Sequence, residues 1–170
     1  MALLLPFAYT LTQGWGPSLR KDEPSQYAYL GRSWWNAISG QPWFRFYPHF
    51  HPGLDLAAPE GTPILASEAG TVTACGPNGI SGLRIHVTIR PGVRYVHGHL
   101  SKFGPGIALN VHVARGQVIG YVGHSGSATG NHSHFGVLIQ APYNRVGFIY
   151  DPTLFLPGGA NQNDPRITPL

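Results

Sequence analysis

The chain has 170 residues, 42% of them hydrophobic and 11% charged, with a formal net charge of +4 and a pI of about 9.5. That length suits one compact domain, the composition excludes a disordered chain, and the charge comes from scarce acids, which excludes a nucleic-acid-binding stripe. The 23 glycines and 16 prolines disfavour long helices, and a single cysteine, Cys75, excludes an internal disulfide or a multi-cysteine metal site.

The opening MALLLPFAYTLT lacks a basic leader region, has its apolar run broken by Pro6, and shows no small-x-small cleavage pattern. It reads as the first strand, with residues 1–20 ending in a loop at Gly14-Trp15-Gly16-Pro17. Residues 21–50 form an irregular, aromatic-rich insertion with Trp34, Trp35, Trp43, Phe44, Phe46 and Tyr47, and a short helix is weakly signalled over Ser25–Asn36. The aromatics serve either as a satellite core over the sheet or as a wall of a substrate groove. From residue 51 the pattern turns to short β segments, Thr62–Ala66 and Thr71–Cys75 first. Leu83–Arg90 alternates, with Leu83, Ile85, Val87 and Ile89 on one face. Pro91-Gly92 turns it into Val93–Leu100 as a hairpin. Gln117–Val122 and His132–Gln140 follow. The expected fold is all-β: a compact antiparallel β-sandwich or open barrel over residues 1–156, with a polar tail at 157–170. No stretch approaches the roughly 20 apolar residues of a membrane span.

The chain carries 9 histidines against 7 acidic residues, an excess that directs attention to metal ligation and proton transfer. In His51-Pro52-Gly53-Leu54-Asp55 the proline and glycine forbid a regular helix. An extended reading faces Leu54 and Leu56 to the core and Asp55 outward, and a loop can fold His51 back to it. An imidazole nitrogen plus a carboxylate oxygen begins a zinc site. In His132-Ser133-His134-Phe135 the two histidines share one strand face, so one can ligate a metal with the other in proton-transfer reach. The same parity puts Tyr95, His97 and His99 on one face, with Val96 and Leu100 as packing residues. The small-residue run from Gly123 to Gly130 would let a substrate backbone approach closely. His49, His86, His112 and His124 are assigned no role. Cys75 reads as a small core residue. Ser125 and Ser127 lack the G-x-S-x-G elbow, which disfavours serine hydrolysis.

Taken in order, HPGLDLAAPEGTPILA, HGHLS, VARGQVIGYVGHSG and TGNHSHF, between an opening TLTQGWGP and a closing DPTLFL, resemble the lysostaphin-type zinc endopeptidases of bacterial cell-wall turnover. The similarity runs from about Thr10 to Leu156. It implies an antiparallel β fold with a zinc-bearing groove. By this resemblance one zinc ion is held by His51, Asp55 and His134, and His99 and His132 are the catalytic pair. Tyr95, His97, Ser125 and Thr129 are candidates for supporting those groups or lining the groove. Three ligands leave one tetrahedral position open, the arrangement of a catalytic zinc. The sequence departs from the family pattern at His97, where a tyrosine is usual, at Ser133, where an apolar residue is usual, and at Gly136, where a glutamate is common.

The implied substrate is a peptide bond in peptidoglycan cross-bridges or stem peptides, cut outside the cytoplasm. The mild positive charge suits an anionic wall. The start at Met1 close to the domain suggests a virion-associated hydrolase, with the tail as a contact for other virion or cell-wall proteins. No nucleic acid is implied as a partner. The rival readings are a non-catalytic structural or binding module of a phage tail or cell-wall assembly, and a zinc amidase cutting the sugar–peptide junction.

Overall fold

The computed structural model describes residues 3, 4, 6–14, 16–18, 49–140, 147–150 and 152. The strands are β1 (Thr10–Gln13), β2 (Gly16–Ser18), β3 (His49–His51), β4 (Leu54–Ala57), β5 (Pro63–Leu65), β6 (Gly70–Asn78), β7 (Gly82–Arg90), β8 (Val93–Phe103), β9 (His112–Val113), β10 (Val118–Val122), β11 (His132–Gln140) and β12 (Gly147–Tyr150). No α-helix occurs among the described residues; a 3-10 turn spans Gly79–Ser81. The all-β expectation therefore agrees with the structure. The suggested helix at Ser25–Asn36, the aromatics at 34–47 and the tail at 157–170 lie outside the described residues.

The main sheet is open and antiparallel, in the order β1-β4-β11-β8-β7-β6-β9, with β2 and β3 paired separately. β11 is its spine. One edge pairs with β4 over His132–Phe135 and with β12 over Val137–Gln140, and the other edge pairs with β8. Past Gly98, β8 leaves β11 and pairs with β10 through Leu100–Phe103.

Alternation decides which residues form the core. Leu54 and Leu56 on β4, Ile85 and Val87 on β7, and Phe135 and Val137 on β11 are almost wholly buried. Each burial of such a side chain contributes about 1.5–3 kcal/mol. The residues between them face the opposite side of the sheet, which carries the site. The first segment differs from the sequence expectation. Residues 6–9 form no strand, although Leu3 and Phe7 plug the core, and pairing begins at Thr10 against Ala57. Pro6 supplies a reason: it has no N–H to donate to a ladder. Gly16 and Pro17, expected in a loop, instead belong with Ser18 to β2, which pairs with His49–His51.

A candidate metal centre and its peptidase family

His51 ends β3, and the Pro52–Gly53 turn brings the chain back as β4 with Asp55 on the site face. Gly53 is required by close approach. A Cβ there would lie 2.5 Å from the Phe135 carbonyl oxygen and 2.6 Å from His134 Nε2. The β4–β11 register sets His134 opposite Asp55. Three atoms then converge. His51 Nε2 lies 3.0 Å from His134 Nδ1 and 3.1 Å from Asp55 Oδ1, and His134 Nδ1 lies 3.1 Å from the same oxygen.

The donor set fits a metal ion. His51 Nδ1 donates to the Gly14 carbonyl at 2.9 Å, so in the neutral ring Nε2 presents a lone pair. That lone pair faces a carboxylate oxygen, and two acceptors at contact distance repel unless they share a cation. A tetrahedral zinc with arms of about 2.0–2.1 Å has ligand–ligand edges of about 3.3 Å, close to this triangle. His51 and Asp55 are buried, and His134 is half-buried. Burial opposes ionisation of Asp55, but hydrogen bonding and the charges of His134 and His51 prevail and hold its carboxyl well below the usual range. Burial pushes the His134 imidazole pKa down, against the pull of Asp55.

Two further imidazoles stand beside this triangle. His132 Nε2 is 3.6 Å from Asp55 Oδ1, and its Nδ1 donates to the Gly130 carbonyl at 2.9 Å. His99 Nδ1 donates to the Ser125 carbonyl at 2.8 Å. The rings of His99 and His132 are 4.7 Å apart, and those of His99 and His134 6.3 Å. Both Nδ1 protons are thus tied to backbone, which leaves each Nε2 as the chemically available nitrogen. Burial, aided by the neighbouring histidines, pushes the His99 pKa down to about 4, so its ring is neutral at pH 7.

The expected shared face of Tyr95, His97 and His99 is not what the structure has. Tyr95 and His97 are fully buried, and His97 packs against Phe135 with ring centroids 4.9 Å apart. Tyr95 turns away from the groove and donates its hydroxyl to the Glu68 carbonyl at 2.9 Å. His99 has φ 60°, and here β8 gains a residue: Ile85 opposes His97 while Leu83 opposes Leu100. This bulge reverses the parity, sending His99 to the site and Leu100 into the core. Val96, expected to pack inward, lines the groove instead. A glycine inside a strand signals a bulge, and Gly98 was that signal in the sequence.

Ser125 buttresses His99. Besides offering its carbonyl, its hydroxyl accepts from Leu83 N–H at 2.8 Å and donates to the Leu100 carbonyl at 2.7 Å, spanning the bulge. Thr129 is exposed in the loop before β11. The departures at His97 and Ser133 form one unit, a buried hydrogen bond of 3.0 Å between His97 Nδ1 and Ser133 Oγ. Sequence reasoning did not foresee the Gly14 carbonyl behind His51, nor the positions of Arg84 and His86 in the groove.

The sequence profile of peptidase family M23 matches residues 49–145. The chain belongs to this family. The M23 match takes in the whole triangle, His99 and His132. Among curated M23 relatives, the DD-carboxypeptidase/endopeptidase Mpg of Neisseria meningitidis is 36% identical over 115 residues, 64% of this chain and 26% of Mpg. The peptidoglycan DD-endopeptidase ShyA of Vibrio cholerae is 35% identical over 99 residues, 56% of this chain and 22% of ShyA. The chain thus spans about a quarter of the length of these relatives. Among solved structures, the catalytic domain of the prophage-encoded M23 protein EnpA from Enterococcus faecalis superposes with a TM-score of 0.53 at 31% identity, covering 61% of this chain and 76% of that one.

Proposed function

We propose that this M23 domain is a zinc-dependent endopeptidase that hydrolyses peptide bonds in the cross-bridges or stem peptides of bacterial peptidoglycan. The observation that carries this reading is the triangle of His51, Asp55 and His134, whose buried acceptors call for a shared cation beside two imidazoles with available Nε2 atoms. The relatives Mpg, a DD-carboxypeptidase/endopeptidase, and ShyA, a peptidoglycan DD-endopeptidase, support the substrate class.

His51 Nε2, Asp55 Oδ1 and His134 Nδ1 would hold one zinc ion. Bound there, zinc supplies Lewis acidity, polarising the scissile carbonyl and lowering a water's pKa from 15.7 to about 7. The chain's own residues handle the protons. The neutral His99 ring accepts a proton at Nε2, and its Nδ1–H bond to Ser125 fixes the tautomer that makes this possible. His132 is held in the same sense by Gly130. Once charged, either ring donates to the oxygen that gains negative charge or to the departing amine, so the pair divides base, oxyanion and acid roles. Asp55 Oδ1 faces His51, His134 and, at 3.6 Å, His132 Nε2.

The test is clearing of purified cell walls by the zinc-loaded protein, with and without a chelator. New free amino groups on residues within the stem or cross-bridge support peptide-bond cleavage; whole stem peptides released with a free first-residue amine, leaving peptide-free glycan, would mark an amidase. A folded protein that takes up no zinc and releases nothing would be a wall-binding or structural module.

A further inference from the structure

The sheet face that carries His134 continues away from the metal ligands as a groove floor of about 420 Å³. On β11 and β8 the register sets Gly98 beside His134, Val96 beside Gly136 and Arg94 beside Leu138. Across β8, His86 lies beside Val96, and Thr88 beside Arg94. Arg84 is two residues before His86, shares its face, and lines the groove with it.

This floor is cationic, and none of the described residues that line it is acidic. Burial and the charges of Arg84 and Arg94 push the His86 pKa down to about 4, so the two guanidinium fields converge on the floor while His86 itself is neutral. The described carboxylates are engaged elsewhere. Asp55 belongs to the histidine triangle, Glu60 faces His124 at 3.6 Å, and Glu68 faces Arg115 at 3.6 Å on the other side of the sheet. Arg94 Nε is buried without a hydrogen-bond partner among the described residues. At its centre the floor is low and apolar: Gly136 contributes no side chain, and Val96 covers it, since a Cβ on Gly136 would lie 3.0 Å from Val96 Cγ2.

We propose that Arg84, with His86 beside it and Arg94 behind it, forms a subsite for a free carboxylate of the peptide substrate. An arginine fork matches a carboxylate with two parallel hydrogen bonds, and half-burial strengthens them. From β11 across β8 to β7 is two strand spacings, about 10 Å, the reach of about three residues of extended peptide. The recognised carboxylate therefore sits two to three residues from the bond that is cut. Peptidoglycan stems supply such groups as their C-terminal and side-chain carboxylates. The inference rests on the peptidase reading above and specifies which substrates that site prefers.

The test uses walls stripped of attached phosphate polymers, so that peptide carboxylates are the remaining anions. One half is converted to carboxamides with carbodiimide and ammonia. Zinc-loaded wild type should release products from untreated walls about tenfold to a hundredfold faster than from amidated ones, the range expected for a charge-assisted bond. Pelleting of the protein with the same walls in chelator should show the same order of binding. Arg84→Met should bring the ratio between the two walls to about one, and Arg84→Lys should keep part of it. Arg90→Gln, which removes an equal charge from the exposed end of β7, should keep the wild-type ratio. Equal rates of wild type on both walls, or loss of the preference in Arg90→Gln as well, would overturn the subsite while leaving the peptidase reading intact. No release from either wall would sink both.

Discussion

Replacing Gly53 with alanine tests whether the metal triangle depends on a turn without a side chain. The added Cβ would stand 2.5 Å from the Phe135 carbonyl oxygen and 2.6 Å from His134 Nε2. Ordinary contact begins at about 3.4 Å, so β11 or the turn must give by about 0.9 Å. One obstacle is backbone in a strand paired on both sides, and the other is a proposed ligand ring. Two opposing terms decide the sign. Alanine reduces unfolded-chain entropy and favours folding by about 0.4–1 kcal/mol. Overpacking a tight site costs about 1–3 kcal/mol, so destabilisation wins by about 1–2 kcal/mol. For a chain of this size that is a fall in Tm of about 2–8 °C. Metal affinity should suffer more, because ligand distances tolerate only about ±0.2 Å. We expect zinc affinity to fall by about a hundredfold or more, read by competition with a chromogenic chelator, with Tm followed by circular dichroism. A Gly53→Ala protein with wild-type Tm and wild-type zinc affinity would refute the claim that close approach at this turn sets the site.

Further outcomes follow from the same geometry. Asp55→Ala should abolish zinc retention on dialysis, whereas His99→Ala and His132→Ala should keep the metal and lose about a hundredfold to ten-thousandfold in hydrolysis. An active His99→Ala with an inactive His97→Ala would place the proton-transfer group on the wrong side of the bulge. Ser125→Ala removes the hydroxyl that joins Leu83 N–H to the Leu100 carbonyl, and should cost about 1–3 kcal/mol in chemical denaturation while zinc stays bound. For pH, burial and the His134 charge push the His97 pKa down from 6.5 to about 3. Between those values the unfolded chain binds the extra proton, so stability is full above pH 6.5 and falls, by at most about 1.4 kcal/mol per unit, as pH drops towards 3. His97→Gln should flatten the Tm profile over that interval, and an unchanged slope would contradict the burial argument.

Alternation and turn residues were sufficient to read most strands and the faces of β4 and β11. His132, His134 and Asp55 were legible because period-two patterning is local. The fold class was legible for a related reason: dense glycine and proline break helices wherever they fall. The faces of Tyr95, His97 and Val96 were misread because parity assumes an unbroken ladder. The φ of 60° at His99 breaks it, held by Ser125, which lies 26 residues further along the chain. The first segment was misread too, since Leu3 and Phe7 are apolar for core packing without forming a strand.

The sequence by itself determined which side chains can ligate and which alternate to a common face, since those depend on residue type and neighbours along the chain. Only the tertiary structure decided that Gly14 and Ser125 lend their carbonyls to His51 and His99, that His97 pairs with Ser133 in the core, and that Arg84 and Arg94 meet no carboxylate among the described residues. Carbonyl partners and charge balance depend on strand register and on loops packed through space. A carbonyl is common to every residue, so composition carries no trace of which one will be used.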